Sequence, residues 1–394
     1  MKLSVNPIST TNNKIKILFV TTGLETGGAE VMLYNLLSKI NRNYFEPTVI
    51  SLMGRGIYGE LIEQLDIPVR CVGMTAGKFT ISAVFRIVKS IEQIQPDLIQ
   101  GWMYHANIAV QFFNFLATKK VPVLWSIHHS LHDLSSEKPL TQRIVRFGSW
   151  SSKFVNKVVF VSEKSQTQHH KIGYFKANSC VIPNGFNLAE FHSSAEVRGK
   201  FRQELGVCET TFLIGSIARY HPMKDHANFL RAASMLLAEY PETKFVMLGN
   251  NVDWENQTLT KLIDELGITD NVYLLGQRGD IPQIAPALDL VTSSSAYGEA
   301  FPLIIGEAMS CEVPCVVTDI GDSAWIVGDT GKVVPPKNPI ALAKAWQEMI
   351  SMDRTLRASL GESARNRIVN NFSLTSVVCR YEQLYQSLAN QIIN

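Results

Sequence analysis

Two glutamates stand eight positions apart in SAYGEAFPLIIGEAMSC, residues 295–311, and the second, Glu307, interrupts an apolar run. An ionised carboxylate buried there costs several kcal/mol, roughly, unless something compensates it. Pro302 suits the first turn of a helix, which leaves Glu299 in the preceding loop and Glu307 about one and a half turns inside. At ~1.5 Å of rise per residue, the steps from Pro302 to Glu307 span roughly 7–8 Å, about the separation of two sugars flanking a diphosphate. Vicinal ribose hydroxyls can donate to such a carboxylate; the other reading is an internal ion pair.

RYHPMKDH sets Arg219 and Lys224 five positions apart where a strand gives way to a helix, with Asp225 placed as N-cap. Two cations converging on a helix N-terminus suit phosphate groups, against the plainer reading of solvated surface charges. In TTGLETGGAE, Gly23, Gly27 and Gly28 let backbone approach a ligand ahead of a helix starting near Ala29. This loop is not GxGxxG, and a plain tight turn reads equally well; GMTAGKFT falls one residue short of a P-loop. His128, in HHSLHD, is the first residue past the strand VPVLWSI and is placed for cleft hydrogen bonding or a structural role. No further Cys/His cluster completes a zinc site. No Asp-x-Asp triplet occurs either, so no metal or other cofactor is expected. Neutralising a diphosphate then falls to Arg219, Lys224 and helix dipoles.

Parallel strands must hold these residues. KIKILFVTT, PTVISL, PVRCVG, PDLIQGW, VPVLWSI and KVVFVS read as buried strands in the first half, and TFLIGSIA, KFVMLG, VYLLG, DLVTSS and PCVVTD in the second. Amphipathic segments such as AEVMLYNLLSKI alternate with them, which argues for doubly wound α/β domains. Ligands bind such sheets beyond the carboxyl ends of the strands, where the residues above fall. The expected divisions are a loose tail at 1–13, a Rossmann-like domain at 14–190, a second at 191–370, and a C-terminal helix at 371–394 packing back on the first.

A hydrophobic share of 46% with 18% charged residues suits a globular protein, and 394 residues exceed one ordinary core. Residues 1–190 carry 20 Lys and Arg against 12 Asp and Glu, a charge of +8, while the remainder carries −6. The basic half is expected to face something anionic. Six cysteines without a CxxC pair read as reduced structural thiols. The polar first 13 residues lack an apolar signal core, and no run reaches transmembrane length, so a non-secreted, cytoplasmic protein is expected.

The chain resembles the retaining glycosyltransferases of family 4, which have the GT-B fold: two Rossmann-like domains facing a cleft. The resemblance runs from about Lys14 to Asn394 and rests on E-x7-E at Glu299 and Glu307 followed by AMSCEVPCVV, the GGAE loop, the Arg-x4-Lys of RYHPMK, and VIPNGF. It implies that Arg219 and Lys224 hold the donor diphosphate, Glu307 the ribose, and Glu299 a hydroxyl of the transferred sugar. Amides of Phe301 and Leu303 would touch sugar or phosphate, Gly27 and Gly28 would close on the diphosphate, and His128 would contact the donor sugar. The base would lie near Gly249 and around Gln277 and Arg278. Glu312 and Ala300 replace common glycines, Asn251 ends a usual Gly-Asp-Gly, and DIGDSAWIVGDTG lacks the common Gly-Gly-x-x-Glu.

The resemblance implies transfer of a hexose or N-acetylhexosamine from a UDP-sugar, or next a GDP-mannose, to a glycan or lipid-linked acceptor of the cell surface. A GT-B epimerase and a non-catalytic nucleotide-sugar binder are the alternatives. Arg143, Arg146, Phe147, Trp150, Lys153, Phe154 and Lys157 lie at helix-compatible spacing and could seat the first domain on an anionic membrane. A domain helix with its aromatics facing the sheet is the other reading. His105 and Asn107 are candidates to meet the acceptor. Nucleic acid is disfavoured for want of a recognised module or dense basic stripe.

Overall fold

Strands rich in Val, Ile and Leu, buried along nearly their whole length, need helices over both faces and therefore a parallel sheet. The computed structural model describes residues 14–25, 27–74, 81–131 and 134–393, side chains at 81–84, 136 and 392–393 aside. The polar tail, residues 75–80 of GMTAGKFT, and His132 and Asp133 of HHSLHD lie outside the described residues.

The first sheet runs β3-β2-β1-β4-β5-β6-β7. Its strands are β1 (Ile15–Thr21), β2 (Phe45–Ser51), β3 (Val69–Cys71), β4 (Leu98–Trp102), β5 (Val123–Ile127), β6 (Lys157–Phe160) and β7 (Ser179–Val181). The second runs β10-β9-β8-β11-β12-β13. It comprises β8 (Leu213–Ile217), β9 (Lys244–Leu248), β10 (Val272–Leu274), β11 (Leu290–Ser293), β12 (Cys315–Thr318) and β13 (Lys332–Val334). The strand pairings described are parallel in both sheets. β7 and β13 were not expected from sequence. Each is a three-residue edge strand, too short and too little buried to carry an apolar pattern.

By contact density the chain divides into one unit of Met1–Ser126, Phe154–Lys157 and Tyr381–Asn394, and another of Ile127–Lys153 and Val158–Arg380. Strand membership divides the chain elsewhere: every strand of the first sheet precedes residue 190 and every strand of the second follows it. Within the first unit, the end of the helix Leu374–Ile393 lies on the sheet. Tyr385 packs edge-on against Phe19 and Phe45, and its hydroxyl donates to Gln100 Oε1 at 2.6 Å. In the second unit, Phe229, Phe245 and Trp346 form a ring cluster behind β8 and β9.

Candidate functional site

Beyond β8 the chain makes a tight turn. His221 Nδ1 accepts from the Met223 N–H at 3.2 Å, Pro222–Lys224 form one 3-10 turn, and Asp225 adopts a left-handed conformation (φ 49°). Asp225 is the N-cap of the helix His226–Leu237, its carboxylate accepting from the Asn228 N–H at 3.2 Å. Gly249, at the end of β9, has φ 147°, and a Cβ there would strike the Ala218 carbonyl, so only glycine lets the two strand ends approach. Arg219 is exposed and has no hydrogen-bond or ion-pair partner among the described residues. With Lys224 it flanks His221, whose proton affinity both cations help lower after desolvation.

Beyond β11 the loop 294–302 folds back on that turn. Ser294 Oγ donates to the Lys224 carbonyl at 2.9 Å, and the Ala296 N–H to the Met223 carbonyl at 2.8 Å. Gly298 (φ 78°) passes against Met223 where a Cβ would collide. Glu299, 8% exposed, forms an ion pair with Lys224 and accepts from Ser295 Oγ at 2.7 Å. From behind, Gly321 lies so close to the Glu299 carbonyl that a Cβ would overlap it, and the Asp322 N–H donates to the Ala300 carbonyl at 2.9 Å. Thus part of DIGDSAWIVGDTG buttresses the loop that carries Glu299.

The helix that follows is Leu303–Ser310, with Pro302 as its N-cap rather than its first residue. No side chain caps it, and the amides of Phe301, Leu303, Ile304 and Ile305 find no protein acceptor among the described residues. Those groups form the positive end of the helix. Glu307, one turn in, makes no ion pair or hydrogen bond among the described residues, so the internal-ion-pair reading fails. Burial, reinforced by Glu190, pushes its carboxyl up to about 7. Gly306 sits against the face of Phe186, which stacks on Phe301 at 6.1 Å between centroids.

His128 does follow β5 directly. Burial lowers its pKa to about 3, only partly opposed by a hydrogen bond with Asn184, so the ring is neutral at pH 7. Asn184, itself buried, directs Nδ2 to the Phe301 carbonyl at 3.5 Å. VIPNGF is thereby joined to the start of the helix Leu303–Ser310. His129 is engaged by Glu137 at 2.8 Å.

Other candidates are placed differently. Arg278 is held by Asp280 at 2.6 Å and Glu204 at 2.8 Å, which raise its pKa further, so its guanidinium is not free for a base. Gln277 is exposed, with no side-chain hydrogen bond among the described residues. Gly27 caps the helix Gly28–Lys39 in an extended conformation, with the Glu30 carboxyl folded so close that a Cβ would collide. Burial holds that carboxyl above its ordinary pKa. Asn107 is 2% exposed, donates to the Ser126 carbonyl at 3.1 Å, and packs under Gly101. Its Oδ1 is buried with no hydrogen-bond partner among the described residues. His105, half-buried, is pushed down in pKa by desolvation. On the helix Pro139–Ser151, Val145 and Gly148 face inward, whereas Arg143, Arg146, Phe147 and Trp150 face solvent, contrary to the sheet-facing reading. Ser295, Gly298, Asn184 and Gly321 escaped sequence reasoning. Only the spacing of Ser295 from Glu299 offered a signal.

Comparisons with known proteins bear on this arrangement. The Glycosyltransferase Family 4 model matches residues 26–190, and the Glycosyl transferases group 1 model matches residues 197–367. HepE of Anabaena, solved with UDP and with UDP-glucose, is 26% identical to the chain. In the UDP complex it superposes with a TM-score of 0.84 over 95% of this chain and 100% of that one. An N-acetyl-alpha-D-glucosaminyl L-malate synthase of Bacillus anthracis is 22% identical over 276 residues, 68% of each protein. A UDP-Gal:alpha-D-GlcNAc-diphosphoundecaprenol alpha-1,3-galactosyltransferase of Escherichia coli is 28% identical over 214 residues, covering 52% of this chain and 53% of that protein. Matched in both halves by models of one enzyme class, and with two parallel α/β sheets, the chain belongs to the GT-B glycosyltransferases of family 4.

Proposed function

We propose that the chain is a retaining, metal-independent transferase that moves a hexose or N-acetylhexosamine from a UDP-sugar to a glycan or lipid-linked acceptor in cell-surface polysaccharide or glycolipid synthesis. One observation carries this reading: the Lys224–Glu299 pair beside a helix start with unpartnered amides, with partnerless Glu307 one turn further in. Arg219, Lys224 and the amides would take the diphosphate, Glu307 the ribose hydroxyls, and Glu299 a hydroxyl of the sugar. These groups supply the positive charge that a metal supplies elsewhere. UDP is favoured over GDP because the Anabaena neighbour was solved with UDP and UDP-glucose, and the Escherichia coli relative is named for UDP-Gal.

Retention follows front-face chemistry. The acceptor oxygen bonds to C1 on the face from which the C1–O bond to phosphate breaks, and its proton passes to the departing phosphate oxygen. Lys224 would then stabilise the leaving diphosphate while holding Glu299 against the sugar, so positioning and electrostatics supply the catalysis. Proton NMR with a panel of UDP-, GDP- and ADP-sugars tests this. Slow release of an α-configured sugar from one UDP-sugar, unchanged by EDTA, is expected. Release of a β-sugar defeats retention, loss with EDTA defeats metal independence, and interconversion of intact donor makes the protein an epimerase.

A peripheral site at the inner membrane face is part of the same proposal, and it rests on the helix Pro139–Ser151. Phe147 and Trp150 are 51% and 57% exposed, their rings 5.6 Å apart, with Arg143 and Arg146 beside them and Lys153 over the Trp150 ring. Aromatic bodies with basic neighbours suit an anionic bilayer surface. Cosedimentation with phosphatidylglycerol vesicles should fall roughly tenfold in the Phe147→Ala/Trp150→Ala variant. Equal binding to neutral vesicles removes the electrostatic part.

A further inference from the structure

A cavity of about 410 Å³ opens beside the turn that presents Lys224, between the start of the helix His226–Leu237, the loop around Tyr297, and the approach to the helix Pro339–Ile350. Asp225, Asn228 and Arg231 recur every third position and share one face of the first helix. Tyr297 and Lys337 complete the polar part of the wall, and Pro222, Ala296 and Pro339 form its apolar part. Arg231 and Lys337 are exposed cations without an ion-pair or hydrogen-bond partner among the described residues. Asn228 is 3% exposed, yet neither its side-chain oxygen nor its nitrogen has a partner among the described residues. A buried carboxamide with both polar atoms unsatisfied is costly to desolvate, so a ligand or a chain of bound water should offset it. The Tyr297 phenol likewise makes no hydrogen bond among the described residues.

We propose that this cavity binds a small phosphorylated sugar, distinct from the donor. Two cations against the single Asp225 carboxylate leave the wall with excess positive charge, which selects an anion. The carboxamide, the phenol and Asp225 match the alternating donors and acceptors of sugar hydroxyls, and the volume lies in the range of small-molecule pockets. Diphosphate bound at Arg219 and Lys224 does not account for the site, because neither of them, nor Glu299 or Glu307, lines its wall. The turn and the loop around Tyr297 are joined by the 2.8 Å bond from the Ala296 N–H to the Met223 carbonyl and by Ser294 Oγ on the Lys224 carbonyl. Occupancy therefore steadies the turn that carries Lys224 and the loop that carries Glu299, and it tightens donor binding.

Calorimetric titration of the full chain with glucose 6-phosphate, in the presence of saturating UDP, tests the assignment. Glucose and inorganic phosphate serve as half-ligands. Glucose 6-phosphate should bind despite UDP, at least tenfold tighter than either half, and Arg231→Ala and Lys337→Ala should each weaken it at least fivefold. Both side chains are exposed, so both variants keep the fold, and a UDP titration verifies this. Binding abolished by UDP assigns the heat to the donor site and overturns the proposal. So does an affinity equal to that of inorganic phosphate, an affinity unchanged in both variants, or no heat at all. Failure of UDP itself to bind counts against the donor assignment and leaves the glucose 6-phosphate titration readable by itself.

Discussion

Glu307 pairs an awkward location with a lack of partners, and both are explained if its partner is the ligand. Its folded pKa of about 7 lies above the ordinary 4.5. Its stabilising contribution is therefore fully present below pH 4.5 and lost as pH rises through 7. Ribose hydroxyls donate best to the ionised form, so UDP affinity should strengthen as pH rises from 6 to 8, by up to about tenfold per unit below the pKa. Calorimetry should show that trend flattened in Glu307→Gln; an identical trend in that variant removes Glu307 from the site. Glu307→Ala is expected mainly to raise the donor KM. Arg219→Ala, which loses charge facing the leaving group, should lower kcat roughly a hundredfold. Steady-state kinetics separates the two, and normal activity in both would sink the assignment. Glu299 and Glu307 were legible in sequence because a carboxylate in an apolar run is costly without a purpose. The burial of Asn107 was not legible, because a sequence does not say which polar groups fold inward.

The helix Leu303–Ser310 has only eight residues and no capping side chain, so its stability comes from packing. Gly306 lets it lie against Phe186, and a methyl there would overlap the ring. Gly306→Ala should cost about 1–3 kcal/mol, seen as a lower Tm and, through displacement of Glu307, a weaker UDP affinity. An unchanged Tm would mean that Phe186 moves aside freely. Strand ends behave similarly. Gly249 and Gly298 stood in the sequence as ordinary turn residues, and only their contacts with Ala218 and Met223 show why a side chain is excluded.

At the scale of the whole molecule, buried histidines and one long-range tyrosine contact carry testable consequences. Burial depresses His128 and His169 to about 3 and His226 to about 4. All three lie below the unfolded value of 6.5, so the unfolded chain takes up the protons first. Stability should fall as pH drops below 6.5, and Glu307 opposes this between 4.5 and 7 with one group against three. A net loss on the order of 2 kcal/mol per pH unit is expected from 6.5 to 5, measured by urea unfolding. A flat profile would mean that the histidines become solvated when charged. Tyr385→Phe removes the hydroxyl that reaches Gln100 across 285 positions of sequence. It should cost about 1–3 kcal/mol by the same measurement, with UDP affinity preserved.

The sequence alone determined the strand series apart from the edge strands β7 and β13, the α/β class, the family resemblance and the charged residues proposed for the donor site. Each of these is written locally, as an apolar run, a turn or a short spacing. Tertiary structure decided which charges remain available. Arg278 is paired with Asp280 and Glu204, Arg219 has no partner among the described residues, and Lys224 is tied to Glu299 from 75 positions away. It also decided which aromatics face solvent on the helix Pro139–Ser151, and it left Asn228 buried beside a polar cavity. Pairing and burial depend on which distant segments meet, and local propensity and periodicity hold no record of that.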